Sequence, residues 1–324
     1  MSENPRFYDA AMIRRTISHA DCIEVVRTAM ADFSASGADQ PLRTIERVPG
    51  GGLLGVMPGW LETSPGFGAK IVTVFEDPAR PGRARHRGVV LLFERPLGTL
   101  ACIADADTIT ELRTAAASAV ATDLMARPEA TRLALLGCGL QAESHLHAIS
   151  LVRPLAHVTV WGRSIAAART FAGRLSAETG LAIEPVDDAA EAVADADIIC
   201  TVTSSPVPIL QGAWVRPGTH VNVVGSSHAG AVEVDTALVV ASRYVADSRR
   251  SVLAAGAEFI AARAQGLIDD DHIVAEIGDV ILRRVPGRTA PDQITLYKSL
   301  GHIVQDLAVA ERLYRMDRAA PAAG

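Results

Sequence analysis

Lysine is nearly absent from this chain. Of 31 basic residues only Lys70 and Lys298 are lysines. A GC-rich coding bias that replaces surface lysine with arginine accounts for the scarcity. Under such a bias, a lysine that remains points to a place where a compact ammonium does something a guanidinium cannot. Cysteine is also sparse. The four residues Cys22, Cys102, Cys138 and Cys200 lie far apart, with no CxxC pair, so a disulfide scaffold and a zinc site are not expected and a reducing compartment fits. No apolar run approaches the roughly 18 residues that a membrane span needs, and the first residues lack the apolar segment of a secretory signal. Positive charge is not in excess. The net charge of −6 and pI near 5.9 argue against a nucleic-acid or anionic-membrane surface. What is present is apolar: 49% hydrophobic against 21% charged residues over 324 positions, enough to bury the cores of about two ordinary domains. A soluble, cytoplasmic protein is expected.

Two textures divide the chain. Residues 18–35 place Cys22, Val26, Ala29, Met30 and Phe33 at helical spacing, with Ser18 and Asp21 as a possible cap. From about 43 to 104, short β-rich runs separated by Gly- or Pro-bearing breaks predict an antiparallel meander. A helix is then expected from a Thr108–Glu111 capping box through Met125, ended by Pro128. Beyond it strand and helix alternate. Strands are expected at 132–136, 157–161, 198–202, 219–224 and 244–247, and helices at 141–151, 165–176 and 189–194. That alternation predicts a parallel, doubly wound sheet. A helical pattern at 299–313 closes the chain.

The segment Leu136-Gly137-Cys138-Gly139-Leu140-Gln141-Ala142 is GxGxxA between a strand and a helix. Gly137 allows the tight turn, Gly139 lets backbone approach a pyrophosphate, and Ala142 permits close helix packing, so Gly137, Gly139, Leu140 and Gln141 are candidate cofactor contacts. The next strand ends Trp161-Gly162-Arg163-Ser164. A carboxylate for the ribose 2′-hydroxyl of NAD is missing at Gly162, while Arg163 and Ser164 suit a 2′-phosphate. NADP(H) is favoured, with NAD(H) possible. Thr203, just past 198–202, is either a ligand contact or a turn-forming hydroxyl.

In the meander, alternation puts Lys70 on one face with Val72 and Val74, and Ile71 and Phe75 on the other. An ammonium there needs an anion, either a substrate carboxylate or a structural partner. Arg113 and Thr114 follow in an alanine-lined helix, and Arg43 opens the meander. His86 is a secondary candidate.

Met57-Pro58, Gly68-Ala69-Lys70, His86-Arg87-Gly88, Leu112-Arg113-Thr114-Ala115-Ala116, the GxGxxA loop and Ile294-Thr295-Leu296-Tyr297-Lys298-Ser299-Leu300-Gly301 together resemble the ornithine cyclodeaminase/mu-crystallin family. The resemblance covers about Arg43 to Ala310. It implies a doubly wound Rossmann-type α/β domain over 129–298. Beside it, an α+β substrate and dimerisation domain with an antiparallel sheet would span 1–128, completed by a C-terminal helix in 299–324. It further implies a homodimer in which Arg43, Lys70 and Arg113 grip the carboxylate of an amino or imino acid beside the nicotinamide, with Thr114 among the cofactor contacts. The cyclodeaminases carry a catalytic aspartate after a late strand, and counting back from Glu233 that position falls on Ser227. A serine hydroxyl cannot serve as an ionised base near neutral pH. The match therefore leans to the ketimine reductase-like members, with Lys70 and Ser227 as the catalytic candidates.

The resulting expectation is an NAD(P)H-dependent reductase forming a cyclic amino acid from a pyrroline- or piperideine-2-carboxylate-like substrate. The rival readings are an ornithine/lysine-type cyclodeaminase, in which His228 would have to supply the acid/base, an alanine-dehydrogenase-like enzyme, and a non-catalytic NADPH-dependent binding protein.

Overall fold

The computed structural model describes residues 4–76, 84–226 and 232–319. The chain divides into two compact units, Met1–Arg113 joined by His302–Gly324, and Thr114–Gly301.

In the first unit, β1 (Arg6–Tyr8), α1 (Ala10–Thr16) and α2 (His19–Ser36) precede the meander β2 (Thr44–Arg47), β3 (Leu53–Trp60), β4 (Gly66–Glu76), β5 (Ala84–Glu94) and β6 (Thr99–Asp105). Ser18 and Asp21 form a reciprocal capping box that starts α2. The six strands align in the order β1-β6-β5-β4-β3-β2, antiparallel except for β1 against β6. The pairing Met57↔Lys70↔Val90 sets one face of the sheet, and Val56↔Ile71↔Val89 sets the other. The first face is lined with glycine, and the C-terminal helix (Ile303–Ala319) lies on it. A Cβ at Gly59 would come within 2.4 Å of Ile303 Cγ2, so the helix sits where only a bare backbone admits it. This close approach brings Asp306 of the helix onto Lys70.

The next helix, α3 (Ala106–Met125), starts earlier than its sequence suggested. Thr108 N and Oγ1 donate to Asp105 Oδ1 at 2.8 and 2.6 Å, so Asp105 at the end of β6 takes the acceptor role expected of Thr108. Glu111, the expected second half of the box, instead pairs with Arg14 at 2.8 and 2.6 Å. A guanidinium outcompetes a backbone amide for that carboxylate.

The second unit runs β7 (Arg132–Leu136), α4 (Leu140–Ser150), β8 (His157–Trp161), α5 (Ile165–Thr179), β9 (Ile183–Val186), α6 (Ala189–Val193), β10 (Ile198–Thr201) and β11 (His220–Val223). It continues with α7 (Thr236–Ala241), β12 (Arg243–Ala246), α8 (Arg249–Ala255), α9 (Ala257–Ala264), β13 (Ile273–Glu276), α10 (Ile277–Ile281) and β14 (Thr295–Lys298). Its eight strands are all parallel, in the order β13-β12-β14-β11-β10-β7-β8-β9. The α/β class and doubly wound parallel sheet expected from the sequence hold. Leu133 and Leu135 face one core with Leu146 and Phe171, while Ala134 and Leu136 face the other with Val221 and Leu238. Burial on both faces is why β7 reads as an apolar run from Leu133 to Leu136. The C-terminal helix α11 (Ile303–Ala319) begins four residues later than expected, because β14 continues to Lys298 and Gly301 turns the chain at φ +82°. No helix among the described residues is long and apolar enough to cross a membrane.

Candidate functional site

Each unit carries a group of the residues singled out from the sequence. In the first, Lys70 Nζ donates to Asp306 Oδ1 at 3.0 Å and to Thr110 Oγ1 at 3.1 Å. Arg113 Nε donates to the same Asp306 oxygen at 3.1 Å, and its Nη1 to Gln305 Oε1 at 3.2 Å. Lys70, Arg113, Gln305 and Asp306 are all buried. Arg43, half-buried ahead of β2, lies near enough for its charge to act on Lys70 and on His302. Three predicted residues therefore converge, on elements far apart in the chain: the approach to β2, the middle of β4 and the first half of α3.

Lys70 and Arg113 share the Asp306 carboxylate, which they hold below the usual carboxylate range despite its burial. Burial pulls Lys70 down to about 8, a fall that Asp306 opposes and Arg113 and Arg43 reinforce. His302, its ring tilted against Phe33 with centroids 4.3 Å apart, is pushed down to about 4 by burial and stays neutral at physiological pH. The protein hydrogen bonds of Lys70 and Arg113 leave one ammonium proton and the Arg113 Nη2 group without a protein partner among the described residues. A buried cationic pair with spare donors suits a small carboxylate. His86 stands apart, exposed on β5 opposite Val74.

In the second unit the candidates gather at the carboxyl edge of the sheet. The strand order reverses between β7 and β10, the switch point outside which such sheets bind ligands. The loop after β7 lies there. Gly137 has φ +131°, and a Cβ on it would come within 2.8 Å of Val202 O, so the turn is closed to any other residue. Gly139 is the reverse case, since an added Cβ would meet nothing within 4 Å. Gly139 precedes α4 without a side-chain cap, which leaves the helix's first amides for a ligand.

Two buried polar atoms among the predicted contacts, Gln141 Oε1 and Thr114 Oγ1, have no hydrogen-bond partner among the described residues. Leu140 opens α4 and is exposed. Open space before bare amides, with orphaned polar atoms in the candidate set, fits a dinucleotide. Past β8, Arg163 is exposed and makes no hydrogen bond or ion pair among the described residues, while Ser164 Oγ caps α5 by accepting from Ala167 N at 3.3 Å. A Cβ on Gly162 would come within 2.7 Å of Cys138 Sγ, so an acidic side chain has no room there unless the thiol turns away.

Thr203 is already engaged. Its hydroxyl donates to Glu233 Oε1 at 2.8 Å and accepts from Ser205 N at 3.2 Å. Glu233 also receives Thr201 Oγ1, Thr203 N, Gly225 N and Ser226 N, which ties the exits of β10 and β11 together. Beside it, Lys298 Nζ donates to Ser226 O at 2.8 Å, Ser226 Oγ at 2.6 Å and Glu258 Oε2 at 3.0 Å. The residues adjoining this framework, Ser227 and His228, lie outside the described residues. Sequence reasoning missed Asp306, Gln305 and Glu258, used Glu233 only as a position marker, and saw Lys298 as a rarity and part of a family segment, without a role. The available signal for Asp306 was a lone carboxylate in a helix whose positions 303–310 are otherwise apolar but for Gln305.

Comparison with known proteins identifies the setting. The family model "Ornithine cyclodeaminase/mu-crystallin family" matches residues 4–320. The chain is 34% identical over 319 residues to the ketimine reductase mu-crystallin of Mus musculus, covering 97% of this chain and 98% of that one. It is 32% identical over 317 residues to the Δ1-pyrroline-2-carboxylate reductase of Paracoccus denitrificans, again covering 97% and 98%. Among solved structures, the Δ1-pyrroline-2-carboxylate reductase of Thermococcus litoralis, in complex with NADH and L-proline, superposes with a TM-score of 0.92 at 31% identity, covering 97% of each chain.

Proposed function

The chain belongs to the ornithine cyclodeaminase/mu-crystallin family and is an NAD(P)H-dependent oxidoreductase acting on C–N bonds, and we propose that it reduces a cyclic ketimine acid to a cyclic amino acid. The substrate class is a pyrroline- or piperideine-2-carboxylate. The observation that carries this reading is the buried Lys70–Arg113 pair, whose spare donors suit a carboxylate attached directly to the reacting carbon.

A bound nicotinamide supplies the hydride that reduces the C=N bond. The chain's residues do the rest. Arg113 and Lys70, with Arg43, neutralise and orient the carboxylate, which fixes the adjacent imine carbon. With its ammonium near 8, Lys70 is mostly charged at pH 7 and holds its proton at Nζ beside the substrate. Ser227 in this reading contacts ligand without acting as a base, since reduction of a protonated imine calls for no proton abstraction.

We assign the cofactor contacts to Gly137, Gly139, Leu140, Gln141, Thr114, Arg163, Ser164 and Thr203. NADP(H) is preferred because Arg163 makes no hydrogen bond or ion pair among the described residues and Gly162, against Cys138 Sγ, supplies no ribose-binding carboxylate. In this reading the second unit binds the dinucleotide and the first binds substrate and dimerises. The half-buried apolar sheet face of Val56, Phe67, Ile71, Val89, Leu91 and Phe93 is the surface offered for a cytoplasmic homodimer.

The test is spectrophotometric. NADPH oxidation with preformed pyrroline-2-carboxylate and piperideine-2-carboxylate should be rapid. Ornithine with NAD should release little ammonia. Rapid proline and ammonia formation from ornithine, abolished by His228→Ala, would replace this reading with the cyclodeaminase one.

A further inference from the structure

We infer that Asp306 of α11 is a positioning residue for the candidate carboxylate clamp, its single oxygen Oδ1 shared between Lys70 and Arg113 so that one counter-charge holds both cations in place. The inference rests on the proposed reduction of a ketimine acid for its kinetic consequence, and on the geometry alone for its physical one.

Asp306 is fully buried, and Oδ1 lies 3.0 Å from Lys70 Nζ and 3.1 Å from Arg113 Nε. Its other oxygen, Oδ2, has no hydrogen-bond partner among the described residues. Among the described residues, the carboxylate is therefore hydrogen-bonded by the two cations alone. Removing it leaves two like charges in a low-dielectric place with no anion between them. The arrangement is built from far apart in the chain, since Asp306 lies 236 residues from Lys70 and 193 from Arg113.

The main charged groups that act on Lys70 among the described residues can be placed. Asp306 comes from α11 and Arg113 from α3, with Arg43 ahead of β2. Asp107 of α3 feels the Lys70 charge in return, and His302 stays neutral. Of these, Asp306 is the one anion hydrogen-bonded to the ammonium. It raises the affinity of Lys70 for its proton, and Arg113 lowers it. The two neighbours should therefore act in opposite directions when neutralised. A merely structural role would show the same opposition in the Lys70 midpoint but leave the pH–rate profile unmoved.

The composition makes this directly measurable. With two lysines in the chain, carbon-13 labelling at lysine Cε gives two resonances, and Lys70→Arg assigns them. In the wild type the Lys70 signal should titrate near 8. In Asp306→Asn its midpoint should fall by about one pH unit or more, the usual effect of losing an opposite charge at this range. In Arg113→Gln it should rise. The alkaline limb of kcat/KM for ketimine reduction should follow the Asp306→Asn shift. At pH 8 that ionisation alone lowers kcat/KM about fivefold, since about half the lysines are charged in the wild type and about a tenth in the variant. The loss should be in KM for the ketimine acid, with KM for NADPH unchanged, and Asp306→Glu should restore part of it.

An unmoved Lys70 midpoint in folded Asp306→Asn overturns the inference. Should that variant not fold, Arg113→Gln decides, and an unmoved or lowered midpoint there overturns it as well. Shifted midpoints with an unchanged pH–rate profile uphold the positioning of Lys70 and refute its part in substrate binding, which separates this inference from the functional reading it deepens.

Discussion

Replacing Lys298 with methionine should destabilise the second unit severely, and the reason can be worked from three contacts. The Lys298 ammonium is 1% exposed and meets Glu258 Oε2 at 3.0 Å, Ser226 O at 2.8 Å and Ser226 Oγ at 2.6 Å. Methionine fills nearly the same volume, so packing is largely kept. The Glu258 carboxylate, 2% exposed, is left with only the Ser226 hydroxyl and the Glu233 amide. Removing one partner of a buried pair typically costs about 3–5 kcal/mol, because the other charge stays behind without compensation. Against a typical total of about 5–15 kcal/mol, that is a large fraction of the stability of a domain. Glu258→Gln should cost a comparable amount by stranding the ammonium. The double variant Lys298→Met/Glu258→Gln should lose much less than the sum, since neither charge then remains. Urea unfolding of the four proteins, followed by the fluorescence of Trp161 and Trp214 in this unit, measures all corners of the cycle. Single losses under about 1 kcal/mol, or strict additivity in the double, would show that the pair is not the buried compensated one argued for here.

The remaining predictions separate structure from binding. Gly137→Ala should destabilise the fold by about 1–3 kcal/mol, because alanine must adopt φ +131° against Val202 O, whereas Gly139→Ala should melt like the wild type and bind dinucleotide more weakly. Thermal melts beside cofactor titrations distinguish the two. Arg163→Ala should raise KM for NADPH by about ten- to a hundredfold, the worth of a charge-assisted hydrogen bond, while leaving KM for NADH nearly unchanged. Equal effects on both would remove Arg163 from the 2′-phosphate. His220, buried against Thr295 and Asn222, and His302 are pushed down to about 3 and about 4. The unfolded chain takes up their protons below about 6.5 and the folded one does not, so stability should fall as pH drops from there to about 4, by up to about 1.4 kcal/mol per pH unit for each histidine. His220→Asn should flatten that slope in acid unfolding curves.

Local pattern carried most of the fold. β7 and β8 are correct to the residue because β7 is a buried apolar run and β8 alternates buried and half-buried residues, both patterns with sharp ends. The GxGxxA loop was legible for a similar reason, since each small residue answers a short-range steric demand. Where the sequence misled, a longer-range partner had won. Glu111 looks like a cap until Arg14, 97 residues earlier, takes its carboxylate. Ser299–His302 looks helical until β14 is known to be held between β11 and β12, which extends the chain through Lys298. The short elements α7 to α10 and strand β13 went unseen because each is stabilised by packing on the sheet rather than by a periodicity of its own.

The candidate site shows the same division in sharper form. Its cations could be named from the sequence, but singly each was ambiguous, and it was the family resemblance that grouped Arg43, Lys70 and Arg113. What holds them could not be named. Both lysines proved to be buried and paired to a carboxylate, Lys70 to Asp306 and Lys298 to Glu258, as the scarcity of lysine hinted. Each pairing spans a separation, 236 and 40 residues, over which no local rule links an acid to a base. Asp306 illustrates why. In sequence it is one acid in a helix, and only the packing of α11 on the glycine-lined face of β3 and β4 turns it from a solvent-facing charge into a shared counter-ion. That packing depends on Gly59, far from Asp306 in the chain, so the geometry of the clamp is written in residues that carry no chemistry at all.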